Sequence, residues 1–155
     1  MLNINKIIFL DIDGVLNNKE TFPLICCKKV NLLKYILEKT HAKIVLSSTW
    51  RYGGIGKDSS IYEHLIKADP KEFVFNAIID CTPKPGFVEP SFPKNHIRGH
   101  EIQRWIEDND YNGKFCIIDD DNDMLPVQKH YLVQTDTDIG LLRSHVDKVI
   151  KILND

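Results

Sequence analysis

Five short apolar runs punctuate the chain, at residues 7–10, 44–46, 77–79, 115–118 and 131–133. None is interrupted by a charged residue, and each is too short for a helix that buries one face. That pattern belongs to strands covered on both sides. Between the runs the apolar spacing changes to three and four. It does so at Val30, Leu33, Ile36 and Leu37, at Ile61, Leu65 and Ile66, at Ile102, Trp105 and Ile106, and at Leu142, Val146, Val149, Ile150 and Leu153. This period predicts helices, the last packed against the sheet. The alternation of the two patterns predicts an α/β fold, a Rossmann-like three-layer domain around a mostly parallel five-stranded sheet. Residues 82–93 carry four of the seven prolines and are expected to form a loop ahead of a helix beginning near Gly99.

A length of 155 residues suits one core, so a single domain over residues 1–155 is expected. Apolar residues at 43% and charged residues at 27% are ordinary for a soluble globular protein and exclude a disordered or coiled-coil chain. A formal charge of -2 disfavours nucleic-acid binding driven by overall charge, while leaving room for a local basic patch. The four cysteines, Cys26, Cys27, Cys81 and Cys116, form no C-x-x-C and read as reduced thiols without a neighbouring base. The opening MLNINKIIFLDID meets acid too early for a signal peptide, and no apolar stretch approaches the roughly 20 residues that cross a bilayer. The expectation is a cytoplasmic chain with no membrane role.

In an open parallel sheet, ligands sit beyond the carboxyl ends of the strands. The first run is followed there by Asp11, Asp13 and Gly14, the second by Ser47, Ser48 and Thr49, and the fourth by Asp119, Asp120, Asp121 and Asp123. Carboxylates from two strands brought to one sheet end repel unless a cation neutralises them, and Mg²⁺ suits an all-oxygen set. His96 and His100, four apart, lack the partners of a zinc site. Asp11 and Asp13, one residue apart in extended chain, point to the same side. One can therefore attack phosphorus while its neighbour protonates the leaving oxygen and later activates water. Gly14 allows a sharp turn after the strand.

DIDGV after a first strand, a second strand ending in Ser, a basic residue before a helix and a strand ending in DD together resemble the haloacid dehalogenase-like (HAD) phosphatase superfamily. The segments LSSTWR, RGHEIQRWI and IIDDD further resemble the small, cap-poor HAD domains associated with RNA-repair proteins. The resemblance implies Asp11 as nucleophile and Asp13 as general acid/base, with Asp11, the Asp13 backbone carbonyl, Asp119 and Asp120 as the metal set for Mg²⁺. Asp120 or Asp123 is the further acidic partner. It implies that Ser48, a better match than Ser47, engages the transferring phosphoryl group with Thr49 and Gly14 nearby. Arg98 is the favoured basic residue, with Lys94 and Lys84 as rivals and Arg51 as another candidate. A position before a helix start, where backbone N–H groups favour an anion, and a planar fork that fits phosphate oxygens both support Arg98.

Each aspartate taken singly could merely cap a turn, but that reading leaves their common position at strand ends unexplained. Gly53, Gly54 and Gly56 lack the lysine and spacing of a P-loop and suggest a mobile loop. Trp50 and Trp105 read as core or rim aromatics. The reading is a Mg²⁺-dependent phosphomonoester hydrolase using an aspartyl-phosphate, with no room for a large cap after Asp13. Its substrate is a phosphorylated molecule, with a nucleic-acid end or a nucleotide among the candidates. The alternative is a metal-dependent module that binds phosphate ends without turnover. No stable protein partner is implied.

Overall fold

All five apolar runs become strands of one sheet in the computed structural model, which describes residues 3–85 and 92–155. The strands are β1 (Lys6–Leu10), β2 (Lys43–Leu46), β3 (Ile78–Cys81), β4 (Lys114–Asp119) and β5 (Leu132–Gln134). Every pairing is parallel, in the order β3-β2-β1-β4-β5. The chain steps outward from β1 through β2 to β3, then returns to the other side of β1 for β4 and β5. The winding therefore reverses between β1 and β4, the place where such sheets open a crevice at their carboxyl ends.

The predicted helices appear as α1 (Cys27–Thr40), α2 (Ser60–Ala68), α4 (Arg98–Asp108) and α5 (Arg143–Asn154). A five-residue helix, α3 (Phe73–Ala77), was not legible as a period and takes Ala77 away from the expected third strand. Likewise Tyr131 ends a 3₁₀ turn, Pro126–Tyr131, instead of opening β5. A second 3₁₀ turn, Thr49–Gly53, follows β2. Residues 82–85 of the proline-rich segment carry no regular structure, and residues 86–91 lie outside the described residues. Among the described residues no helix is long and apolar enough to cross a membrane.

The alternation along each strand sorts the core into two layers. Ile8, Leu10, Ile44, Leu46, Cys116 and Ile118 share one cluster with Leu33 and Ile36 of α1 and Val146 and Val149 of α5. Ile7, Phe9, Val45 and Ile117 share the other with Ile102 and Trp105 of α4. Each of these aliphatic side chains is withdrawn from water, worth roughly 1.5–3 kcal/mol apiece. Trp105 packs edge-on to Phe9 at 5.5 Å between ring centroids and donates to Asp80 Oδ2 at 2.7 Å, which ties α4 to β3.

The first turn of α4 is clamped to the segment after β4. The Gly99 N–H donates to the Asp123 carbonyl at 3.0 Å, and Gln128 Nε2 donates to the Gly99 carbonyl at 2.9 Å. A Cβ on Gly99 would fall 2.5 Å from the Leu125 nitrogen and 2.6 Å from Gln128 Oε1, so only glycine lets α4 approach this closely. Gly99→Ala is expected to destabilise the protein by about 1–3 kcal/mol, the range for overpacking. Denaturant unfolding checks this, and an unchanged midpoint would show that the helix end yields freely.

Candidate active site

The strand ladders run past the strand ends and bring the chemistry abreast. The Asp11 N–H donates to the Ile118 carbonyl and the Ser47 N–H to the Leu10 carbonyl, each at 3.0 Å. The register Leu10↔Leu46 and Leu10↔Ile118 therefore continues by one step, setting Asp11 between Ser47 and Asp119. Phe9, Val45 and Ile117 pack on the α4 side. Two residues further on, Asp11, Ser47 and Asp119 inherit that side. Arg98, first residue of α4, meets them there.

One guanidinium nitrogen serves two carboxylates. Arg98 Nη1 lies 3.5 Å from Asp11 Oδ1 and 3.4 Å from Asp119 Oδ2. Oxygens of Asp11, Asp119 and Asp120 all lie within 4.8 Å of one another, with Asp11 and Asp119 buried. Burial pushes both the Asp11 and the Asp119 carboxyl well above the usual carboxylate range. Arg98 pulls each back, while Asp120 adds to both and Asp11 to Asp119. For Arg98, burial opposes its charge, but Asp11, Asp119, Glu101 and Asp123 outweigh that and raise its pKa. Burial is the largest cause of both shifts, and one arginine does not offset it.

The turn after β1 is built to present Asp13. Asn17 is buried, accepting from the Gly14 N–H at 2.8 Å while its Nδ2 donates to Asp13 Oδ1 at 2.8 Å, which leaves the other Asp13 oxygen for a proton. Gly14 has φ +77°, and a Cβ there would sit 2.2 Å from Asp120 Oδ2. Its carbonyl accepts from Thr135 Oγ1 at 2.6 Å, and Thr137 Oγ1 donates to Asp120 Oδ2 at 2.8 Å, so the segment after β5 supports both acidic motifs. Asn17 and Thr135 carry no motif signal. Only their place in the fold reveals them.

The two serines differ in employment. Ser48 Oγ accepts from the Trp50 N–H at 3.2 Å and caps the 3₁₀ turn. Ser47 Oγ is buried with no hydrogen-bond partner among the described residues, on the Asp11 side of the sheet. Thr49 is exposed at the start of that turn.

The basic candidates also separate. Lys84 and Lys94 are both exposed. Arg51 is 1% exposed and spends all five N–H groups. Nε donates to the Thr82 carbonyl, Nη1 to the Ser47 and Ser48 carbonyls, and Nη2 to the Pro83 carbonyl and Glu101 Oε2, at 2.8 to 3.2 Å. Arg51 therefore rivets the loops after β2 and β3 to α4 and has no donor left for a ligand. Glu101 also lies 4.0 Å from Arg98 Nε and 3.5 Å from His96 Nε2. Asp123 accepts from the Arg98 N–H through Oδ2 at 3.2 Å, which fixes the start of α4, and its Oδ1 is buried without a partner among the described residues. Trp105 is core, while Trp50 is half-buried and edge-on to His64.

Compared with protein-family models, residues 7–146 match the one described as the HAD domain in Swiss Army Knife RNA repair proteins. Searches of curated proteins and of solved structures each gave no match.

The donor set fits the divalent cation that HAD proteins generally use. Three carboxylates converge, two of them buried, and their mutual repulsion is the cost that a small oxygen-seeking cation removes. Mg²⁺ at ten times its dissociation constant should stabilise the fold by about 1.4 kcal/mol. Asp119→Asn removes a carboxyl that burial makes costly to keep in the fold at neutral pH, so it should melt higher than the parent in EDTA at pH 7.5 yet lose the response to Mg²⁺. Thermal denaturation with and without the metal reads both effects, and a parent indifferent to Mg²⁺ would refute the site.

Proposed function

From a chain that belongs to the family of HAD domains in Swiss Army Knife RNA repair proteins, we propose a phosphomonoester hydrolase that removes a terminal phosphate from a nucleic-acid end through an aspartyl-phosphate at Asp11. The observation that carries the reading is the single Arg98 nitrogen shared by Asp11 and Asp119 at the switch point of the sheet. That arrangement offers a nucleophile and a cationic fork for phosphoryl oxygens in one place. On this reading residues 1–155 act as one domain. The connection after β1, residues 11–26, is too short to hold a large cap, which suits a phosphate at the end of a large molecule.

An Asp11 carboxylate oxygen attacks phosphorus in line, and the bond from phosphorus to the leaving oxygen breaks. Asp13, steadied by Asn17, gives its proton to that oxygen. The same Asp13 carboxylate then takes a proton from water as the water oxygen attacks the aspartyl-phosphate, and Asp11 leaves with its original charge. Arg98 faces the negative oxygens throughout, preorganised by Asp123 and Glu101. When bound by Asp11, Asp119, Asp120 and the Asp13 carbonyl, Mg²⁺ would neutralise charge on the carboxylates and on the phosphoryl group.

The geometry favours Ser47 over the sequence-aligned Ser48 as the hydroxyl that holds a phosphoryl oxygen. Ser47 Oγ is the buried, unpartnered donor on the Asp11 side, whereas Ser48 Oγ is committed to capping. Ser47→Ala should lower kcat by about 10²-fold, as loss of one preorganised donor does. Ser48→Ala should chiefly cost about 1 kcal/mol of stability through the lost cap. The reverse ranking in steady-state kinetics would return the role to Ser48.

Phosphate release should be measured with Mg²⁺ from 3′- and 5′-phosphorylated oligonucleotides, mononucleotides, a phosphopeptide and an aryl phosphate. Turnover is expected on an oligonucleotide end, abolished in Asp11→Asn and slowed about 10²- to 10⁴-fold in Asp13→Asn. Release that survives Asp11→Asn would refute the covalent route. A folded, metal-bound protein that binds the ends and releases nothing would be a phosphate-end binding module.

A further inference from the structure

Resting on the hydrolase reading, the structure places a second recognition element beside the site. A proton donor must stand at the leaving oxygen, so the alcohol portion of the substrate emerges on the Asp13 side. There the surface is hollowed into a cavity of about 200 Å³, lined by Asp13, Gly14, Asn17, Lys19, Phe22 and Thr137 among others. Its floor is chemically spent. Asn17 has both ends of its amide engaged with Gly14 and Asp13, and the Thr137 hydroxyl is given to Asp120. Asn18 Oδ1, from the same wall, accepts from the Glu20 and Thr21 backbone and from the Thr21 hydroxyl.

What the cavity still offers is the Phe22 ring, the Lys19 cation and the exposed Asp138 carboxylate. Phe22 is 61% exposed, and Lys19 is exposed beside it. An aromatic ring held in water is unfavourable, and this one does not sit on a slack loop. The Phe22 N–H donates to the Asn18 carbonyl at 2.8 Å, and the Lys19 N–H reaches the Asp138 carbonyl at 3.3 Å. We propose that Phe22 is a stacking platform for the base of the terminal nucleotide, the one whose hydroxyl is the leaving group, with Lys19 beside the next phosphate of the strand. A ring face and a point charge read no base edge. Recognition through them tolerates every base, which suits ends of any sequence.

The test is equilibrium binding to the Asp11→Asn protein with Mg²⁺, alongside turnover by the parent. The probes are two phosphorylated oligonucleotides of one length, one with a normal terminal nucleotide and one abasic there, each made with the phosphate at the 3′ and at the 5′ end. Loss of one base stack weakens binding roughly 5- to 150-fold. The normal end should be preferred over the abasic end by a factor in that range, whichever base it carries. Phe22→Ala should erase that preference, and Phe22→Tyr should restore it. As the side chain is largely exposed, folding is not at stake, and circular dichroism controls for it. Equal affinity for both ends, or a preference that survives Phe22→Ala, overturns the platform. Turnover that persists in either case leaves the hydrolase reading standing. Base-dependent binding without turnover supports the platform and refutes the hydrolase, and neither binding nor turnover on any probe overturns both.

Discussion

Everything at the carboxyl end of this sheet is organised around one electrostatic conflict, the burial of neighbouring carboxylates. Asp11 and Asp119 lie abreast on adjacent strands with Asp120 beside them, and a single Arg98 nitrogen answers two of the three. In water such charges would drift apart. Here the ladder through Ile118 and Leu10 holds them at strand spacing, so the repulsion is locked into the fold. The price is met by a scaffold that buries two apolar layers on either face of the sheet. On the proposed reading this arrangement draws a cation and, once neutralised, the oxygens of a phosphoryl group.

Holding Arg98 in place takes more structure than the site itself. Its backbone is fixed by Asp123, its helix by the close contact at Gly99, and its guanidinium is flanked by Glu101. Glu101 is itself buried and makes its shortest ion pair with Arg51, whose remaining donors close the loops after β2 and β3. Two arginines thus divide the work. Arg51 is saturated with backbone carbonyls and serves rigidity, while Arg98 is left facing carboxylates that a ligand can compete for. A buried pair such as Arg51–Glu101 adds little net stability over an apolar pair. Its value here is that it fixes where α4 begins.

The sheet and the positions of its acidic residues were legible because strands buried on both faces leave unbroken apolar runs, and the residues after such runs must emerge at one edge. Asp11, Asp119 and the helix start at Arg98 all follow from that. What stayed hidden depends on information that local pattern does not carry. The helix Phe73–Ala77 is too short to show a period, and Arg51 and Asn17 look like ordinary surface polar residues until the loops they tie together are known. The choice between Ser47 and Ser48 turned on register. Motif alignment favours one, but only the pairing Leu10↔Leu46 decides which serine continues on the Asp11 side.

A division of labour follows from where rigidity lies. On the proposed reading the phosphoryl group faces strand ends and a helix clamped by its own hydrogen bonds. On the same reading the leaving group faces the turn after β1 and the segment after β5, which are joined to the acidic cluster through Asn17, Thr135 and Thr137. On the proposed reading, chemistry common to every substrate is handled by the sheet, and the identity of the substrate is handled by loops whose side chains can change without disturbing it. On that reading the separation accounts for a site whose connection after β1, residues 11–26, holds no large cap. A cap excludes water and selects small metabolites. A nucleic-acid end brings its own bulk to cover the site, and it needs from the protein only a surface on which its last base can rest.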